Sequence, residues 1–211
     1  MEIIAEKIND YLEGLYPQND PVLQEMEKLA ELRNFPIIGP QVGHLLFILA
    51  RLVGAKRIFE MGSGFGYSAY WFAKAFSADG KVYQTETAEK NSQLARDFFK
   101  RAGLEKKSEF LVGDGLKLID QVGGQFDIIL IDMNKEDYPK GFEKAKRYLR
   151  KGGLLIVDNL FWFGKVLEEN REARDPETAG IKKFTQLLFK DKEFFATIVP
   201  VRDGVGIGYR L

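Results

Sequence analysis

Hydrophobic residues recur at helical spacing in three segments near the start of the chain. The predicted helices span residues 2–15, 21–33 and 41–53. Asp20 followed by Pro21 is typical of a helix start, with an N-cap and then a proline in the first turn. We interpret these helices as a cap on the main fold.

From residue 58 onward, short apolar runs alternate with helical segments. The predicted strands are 58–60, 81–86, 108–112, 126–131, 154–157, 193–200 and 205–209. The predicted helices are 68–76, 88–102, 116–121, 139–150 and 176–190. Gly152 and Gly153 would end the fourth of these helices, and Arg202-Asp203-Gly204 would turn the last two strands into a hairpin.

This alternation predicts an α/β fold, with a doubly wound, mostly parallel seven-stranded sheet and a C-terminal antiparallel hairpin. The runs at 126–131 and 154–157 are almost entirely apolar, as expected of central parallel strands. We expect one domain over residues 1–211, with cap helices in 1–54 and the α/β core in 55–211.

Composition removes several classes of chemistry. Lys plus Arg and Asp plus Glu both number 31, so a zero net charge disfavours a general polyanion binder. The absence of cysteine excludes disulfides, cysteine zinc sites and thiol catalysis. One histidine, His44, argues against a histidine metal site or a Ser-His-Asp triad. Any metal must therefore be held by oxygen.

The N-terminus predicts no targeting segment. It is amphipathic and mixed in charge, unlike a signal peptide, and no apolar run in the chain approaches 18 residues. We expect a cytoplasmic protein without a membrane partner.

Three glycines, Gly62, Gly64 and Gly66, follow the first predicted strand and precede a helix. Such a turn usually receives a nucleotide-like ligand at the helix N-terminus. The third glycine comes one residue too early for a dinucleotide fingerprint, and the Gly-Lys-Ser/Thr of a P-loop is absent. Glu60 would repel a pyrophosphate but attract an ammonium or sulfonium group. The loop therefore favours S-adenosylmethionine over NAD or ATP, while a turn without ligand stays open.

Acidic residues follow five predicted strands, at the edge where ligands bind in open α/β sheets. They are Glu60, Glu86, Asp114, Asp132 and Asp158. Glu86 holds the position of a ribose-binding carboxylate. Asp114 could accept a hydrogen bond from an adenine amino group, or cap a helix.

Asp132, Asp158 and Asn159 end the two most apolar strands. Two carboxylates and an amide oxygen suit Mg²⁺, Mn²⁺ or Ca²⁺. Lys135 would reach the same place, where a lysine can act as a base; the alternative is a solvated loop lysine.

Taken together, these motifs resemble those of the cation-dependent class I O-methyltransferases, the catechol and caffeoyl-CoA group, which have a Rossmann-like fold. The similar segments are FEMGSGFGYS at 59–68, D-x-x-K at the end of 126–135, DNLFWFGKV at 158–166 and PVRDG at 200–204. The family often has Asp-Ala-Asp-Lys where this chain has Asp132-Met133-Asn134-Lys135, and Leu-Trp where it has Phe161-Trp162.

The resemblance implies roles for individual residues. Asp132, Asp158 and Asn159 would hold Mg²⁺, and Lys135 and Asp132 would be catalytic, with Lys135 as general base. The implied cofactor-binding residues are Glu60, Gly62, Ser63, Gly64, Tyr67, Ser68, Glu86, Asp114 and Asp132. In the implied mechanism the metal chelates two acceptor oxygens, Lys135 removes a proton, and the oxygen attacks the sulfonium methyl in line.

The resemblance implies a homodimer that methylates a small catechol-like diol. A first alternative acceptor is 5-hydroxyuridine in tRNA, which a basic face made by Lys106, Lys107, Lys165, Arg171 and Arg174 would favour. A second alternative is a cofactor-binding protein without transferase activity, and a third is an NAD oxidoreductase. The intact Lys135 and ligand trio argue against the second, and the early glycine against the third.

Overall fold

A seven-stranded sheet forms the centre of the fold. A computed structural model describes residues 6–16, 19–77 and 79–211. Its strands are β1 (Arg57–Met61), β2 (Lys81–Glu86), β3 (Ser108–Val112), β4 (Phe126–Ile131), β5 (Leu149–Val157), β6 (Phe194–Val199) and β7 (Val205–Arg210). Across the sheet they run β3-β2-β1-β4-β5-β7-β6. The first five strands are parallel, and β7 is antiparallel to both neighbours, which confirms the predicted fold class.

Eight α-helices are found in the described residues. They are α1 (Glu6–Gly14), α2 (Pro21–Arg33), α3 (Gly39–Leu52), α4 (Tyr67–Ala75), α5 (Glu89–Arg101), α6 (Gly115–Val122), α7 (Tyr138–Tyr148) and α8 (Pro176–Lys190). Residues 2–5 of the first predicted helix lie outside the described residues. None of the helices in the described part of the chain is long and apolar enough to cross a membrane.

Helices cover both faces of the sheet because alternate strand residues point to opposite sides. Ile58, Ile128 and Ile156 belong to one buried cluster, which α2, α3, α4 and α5 complete. Their strand neighbours Phe59 and Ile129 belong to a second cluster, with α6, α7 and α8. The sheet is therefore buried on both faces, as predicted for a doubly wound fold.

The cap helices share the core of the α/β unit. Asp20 caps α2 by accepting hydrogen bonds from the backbone N–H groups of Val22 (3.0 Å) and Leu23 (3.4 Å), and its carboxylate pairs with Lys74 of α4 at 2.8 Å. Met26 of α2 is fully buried in the cluster that covers the first face of the sheet. The cap is thus packed directly onto the core, and its α2–α3 connection reaches the carboxyl edge of the sheet.

One predicted boundary is wrong. Gly152 and Gly153 do not end α7; they lie inside β5, which begins at Leu149. The pairing of β4 with β5 shifts register there, and Gly152 has φ of 72°. A methyl on Gly153 would lie 2.8 Å from the backbone oxygen of Asp127. The glycine pair therefore marks a bulge where two backbones approach closely.

Candidate active site

A cavity of about 770 Å³ opens at the carboxyl ends of the parallel strands. Its walls are the glycine loop, the α2–α3 connection, the segment after β5 and the β6–β7 hairpin. The predicted site residues that line it are Gly62, Ser63, Gly64, Tyr67, Ser68, Glu86, Asp114, Asp132, Lys135, Asp158 and Asn159. The sheet edge thus gathers residues from five separate segments, and of the predicted residues only Glu60 lies outside the lining.

The glycine loop lies directly against the residue that follows β4. Gly62 has φ of 88°, and any side chain there would collide with the backbone oxygen of Asp132. Gly66, with φ of 87°, is the N-cap of α4. The predicted strand, tight loop and helix are confirmed, and the missing side chains bring the loop and the candidate catalytic segment together.

Glu60 lies beneath the loop. It is fully buried, and its carboxylate accepts hydrogen bonds from the hydroxyls of Ser63 (2.9 Å) and Ser68. Burial raises the pKa of Glu60 to about 8. Glu60 therefore holds the two serines that line the cavity, and its predicted contact with a cofactor stays a prediction.

Glu86 and Asp114 each accept a backbone hydrogen bond with one carboxylate oxygen. Glu86 Oε1 accepts from the N–H of Ala88 at 2.7 Å, and Asp114 Oδ1 accepts from Leu116 at 2.9 Å as the N-cap of α6. These bonds orient both carboxylates at the cavity wall. The helix-capping role of Asp114 is confirmed, and the ribose and adenine contacts stay predictions.

Lys135 is not a solvated loop lysine. Its side chain is 11% exposed, and its Nζ lies 2.8 Å from Asp132 Oδ1. The same Nζ lies 5.2 Å from the ring centre of Tyr138 and 5.8 Å from that of Trp162. A methyl on Gly180 of α8 would overlap the backbone oxygen of Lys135, so α8 packs tightly against this segment. The amine is enclosed by aromatic rings and paired with one carboxylate.

Asp158 completes an oxygen-rich corner. The central strands β4 and β5 are adjacent, and the backbone N–H of Asp158 donates to Ile131 at 3.2 Å. Burial and the neighbouring Asp132 raise the pKa of the Asp158 carboxyl, and Lys135 opposes this. Asn159 donates its amide N–H to Asp203 Oδ2 at 3.4 Å, so its amide oxygen is not used by that bond.

These donors are all oxygens, and such a set fits a hard divalent cation and not zinc. Within the described ranges, no three His, Cys, Asp or Glu side chains are grouped so as to hold a metal. A cation at Asp132, Asp158 and Asn159 would therefore need further oxygens from water or an acceptor.

Sequence reasoning assigned no role at the site to Arg202 and Asp203 of the β6–β7 hairpin. Asp203 Oδ1 accepts a hydrogen bond from the backbone N–H of Phe163 at 2.7 Å, which fixes the segment after β5. Both hairpin residues line the cavity together with Trp162 and Phe163. The hairpin signal predicted the turn, but only the pairing of β7 with β5 brings it to the site.

The basic residues proposed for a tRNA surface do not form one face. Lys106 and Lys107 precede β3 and so lie at the edge opposite the cavity. Arg171 and Lys165 lie 3.4 Å and 4.0 Å from the carboxylate of Asp175. The structure therefore gives the tRNA alternative no support.

Solved structures share this fold over the whole chain. A methyltransferase from Geobacter sulfurreducens is 33% identical, with a TM-score of 0.84 and coverage of 100% of this chain and 98% of that one. An O-methyltransferase from Bacillus cereus, solved in complex with SAH, is 29% identical, with a TM-score of 0.88 and 97% of each chain covered. The fold is that of a class I methyltransferase.

Sequence comparisons identify the family within the class I methyltransferases. The family model described as O-methyltransferase matches residues 16–211. A catechol O-methyltransferase from Niastella koreensis is 33% identical over 204 residues, which cover 94% of this chain and 91% of the relative. The chain belongs to the O-methyltransferase family, of the catechol and caffeoyl-CoA type, as its motifs predicted.

Proposed function

We propose that the protein transfers a methyl group from S-adenosylmethionine to one hydroxyl of a small catechol-like acceptor, with a divalent cation held by Asp132, Asp158 and Asn159. The observation that carries this proposal is the enclosed Lys135 amine. It lies 2.8 Å from Asp132 Oδ1, and it lines the cavity together with the glycine loop and Trp162. This position supports Lys135 as the group that would take the proton of the acceptor hydroxyl.

The glycine loop and the strand-end acids support the methyl donor. The Bacillus cereus relative was solved with SAH, the product of methyl transfer. In this chain Gly62, Gly64, Glu86 and Asp114 all line the cavity, and we assign the loop to the methionine end, Glu86 to the ribose and Asp114 to the adenine.

The side-chain oxygens of Asp158 and Asn159 support the proposed cation site. Asp158 is 7% exposed and lies beside Asp132, and two neighbouring carboxyl groups are costly to ionise together unless a cation compensates them. A divalent cation would supply Lewis-acid polarisation of an acceptor hydroxyl. Asn159, oriented by Asp203, would present its amide oxygen to the same position.

The aromatic wall supports a flat acceptor. Trp162 and Phe163 line one side of the cavity, and Phe35, Pro36 and Ile37 of the α2–α3 connection line another. A ring held between these walls would present its hydroxyl to Lys135. The neutral amine would take the proton as the oxygen attacks the methyl group, and the S–CH₃ bond breaks to release S-adenosylhomocysteine. Fixing the two reactants in line would supply much of the rate.

We also propose that the protein works as a homodimer. Ile48 and Leu52 lie one turn apart on α3, and they are 52% and 77% exposed. A second chain that covered this helix face would remove both side chains from water.

The test is transfer of labelled methyl from S-adenosylmethionine to catechol, with Mg²⁺, Mn²⁺ or Ca²⁺ and with excess chelator. Chelator is expected to abolish transfer. Asp158→Asn and Lys135→Met are each expected to lower kcat by about 100-fold or more, because one removes a cation ligand and the other the proton acceptor.

Asp120→Asn is the matched control, since this exposed carboxylate pairs with Lys144 on the surface and lies outside the cavity lining. It should keep wild-type transfer. Methyl transfer that persists in excess chelator and in Asp158→Asn would overturn the proposed metal dependence. Tight S-adenosylmethionine binding without methylation of any catechol would overturn the acceptor class.

A further inference from the structure

The wall of the cavity carries two basic side chains with different surroundings. Lys135 is paired with Asp132 at 2.8 Å. Arg202 is the other basic residue of the lining. Among the residues that the structure describes, its guanidinium has no hydrogen-bond acceptor and no ion-pair partner. The cavity therefore presents one cation whose N–H donors are available to a ligand.

Arg202 is held in place by its backbone and by the cap. Its φ is 49°, in the left-handed region that favours glycine or asparagine. Its side chain folds back over the start of α3, where a methyl on Gly39 would overlap the guanidinium. Gly39 itself has φ of 71°, and no side chain caps α3 there. The absence of a side chain at Gly39 makes room for the guanidinium at the rim of the cavity.

Arg202 lies close to the residues that we propose to bind the acceptor. The neighbouring Asp203 accepts hydrogen bonds from Phe163 of the aromatic wall and from Asn159 of the oxygen-rich corner. The positive charge of Arg202 also acts to lower the pKa values of Asp158, Asp203 and Tyr67. The guanidinium thus lies near the oxygen-rich corner formed by Asp158 and Asn159. Arg202 is also exposed, so it can contact a ligand that arrives from solvent.

We propose that Arg202 binds a carboxylate carried by the acceptor, so that the enzyme prefers catechols with an acidic substituent. The proposal rests on the proposed catechol O-methyltransferase activity and names its substrate class. A guanidinium offers a planar pair of N–H donors that matches a carboxylate, and such charge-assisted bonds are stronger than neutral ones. Apart from Lys135 and Arg202, the charged residues of the lining are seven acids, which would disfavour an anion elsewhere in the cavity; they are Glu86, Asp114, Asp132, Asp137, Asp158, Glu177 and Asp203.

The experiment compares two acceptors that differ in one charge, 3,4-dihydroxybenzoate and its primary amide. The measured quantity is the ratio of their kcat/KM values, carboxylate over amide. The same ratio is measured for equilibrium binding to protein saturated with S-adenosylhomocysteine. Wild type should prefer the carboxylate, and Arg202→Asn should lower the ratio by about 10-fold or more, mainly through KM.

Asparagine is chosen because it tolerates the left-handed backbone while removing the charge. Arg202→Lys should recover part of the ratio, because it restores the charge without the planar pair of donors. Arg147→Gln is the control; this exposed arginine stacks on Tyr148 at the end of α7 and should leave the ratio unchanged.

A wild-type ratio near one, or the same ratio in wild type and Arg202→Asn, would overturn the role of Arg202 while methylation of the amide still supported the activity. Absence of methylation of both acceptors would overturn the proposed function. In that case the binding ratio still decides whether Arg202 recognises the carboxylate.

Discussion

At the scale of single residues, burial decides what a carboxylate does. Asp127 and Glu60 are both acids on central strands. Asp127 is paired with Arg150 at 2.6 Å and accepts from two backbone N–H groups, and these partners lower its pKa against the opposing effect of burial. Glu60 meets only two serine hydroxyls and the charge of Asp132, so burial dominates. The same carboxyl group is therefore an anion at one end of the sheet and a largely neutral acid at the other.

The raised pKa of Glu60 predicts a stability that falls with rising pH. The folded chain keeps a proton up to a pKa of about 8, whereas the unfolded chain loses it near the ordinary value of 4.5. The stabilisation from this group is complete below pH 4.5 and is lost as pH rises through 8. Glu60→Gln removes the titration, so its stability relative to wild type should rise by about 1 kcal/mol or more between pH 5.5 and 8.5.

The measurement is urea unfolding of both proteins without ligand at several pH values. The difference between the two free energies of unfolding isolates Glu60 from the other titrating groups. A difference that does not change with pH would show that Glu60 is ionised in the fold.

At the scale of elements, a hairpin and a loop position each other. The segment after β5 contains Asn159, Trp162 and Phe163, with φ of 60°, 48° and 55°. Asparagine tolerates this left-handed backbone, but it is unfavourable for the large side chains of Trp162 and Phe163. The hairpin supports it: the backbone oxygen of Asp203 accepts from Phe161 at 2.9 Å, and its carboxylate accepts from Phe163 and Asn159. Gly204 packs against the ring of Phe161, which a methyl would approach to 2.6 Å.

Removing the Asp203 carboxylate should loosen both the aromatic wall and Asn159. We expect Asp203→Ala to raise the KM for the acceptor and the Mg²⁺ concentration needed for half-maximal activity, each by about 10-fold, and to lower stability by about 1 kcal/mol. Steady-state kinetics with varied acceptor and Mg²⁺ measure the first two. Asp203→Asn keeps an oxygen for the Phe163 N–H and should give a smaller effect; equal losses in both variants would contradict this account.

At the scale of the whole molecule, the cap contributes to both core and cavity. Tyr67 of α4 donates a hydrogen bond to Glu27 of α2 at 2.5 Å, next to the glycine loop. His44 lies within α3 between the rings of Tyr16 and Trp71, at 4.7 Å and 4.8 Å, which is a packing position outside the cavity. The inner faces of α2 and α3 are thus used by the fold, while the exposed residues of α3 are available for another chain.

The proposed dimer can be tested on that outer face of α3. Light scattering during gel filtration should give twice the mass of one chain for wild type. Leu52→Glu should shift the mass towards that of one chain, because it places a charge in an apolar contact. Leu211→Glu changes an exposed leucine at the C-terminus and should leave the mass unchanged. A single-chain mass for wild type would contradict the dimer.

Much of this protein could be predicted from its sequence because the relevant signals are local. Apolar periodicity predicted the strands 81–86, 108–112 and 126–131 with the bounds observed, and Asp20-Pro21 marked the start of α2. The ends of parallel strands share one edge, so acids placed there by local pattern, such as Asp132 and Asp158, were expected to meet, and both line the cavity.

What only the tertiary structure decided depends on contacts between distant segments. The strand that begins at Leu149 follows from pairing with β4, which overrides the helix-stop signal of Gly152 and Gly153. The burial of Glu60 and Lys135, and hence their chemistry, follows from helices packed over them. Arg202 and Asp203 reach the site because β7 pairs with β5. By itself the sequence determined the fold class, the family and most of the candidate site, since periodicity and turn chemistry act over a few residues. Environment and orientation at the site were decided by packing, which no local pattern encodes.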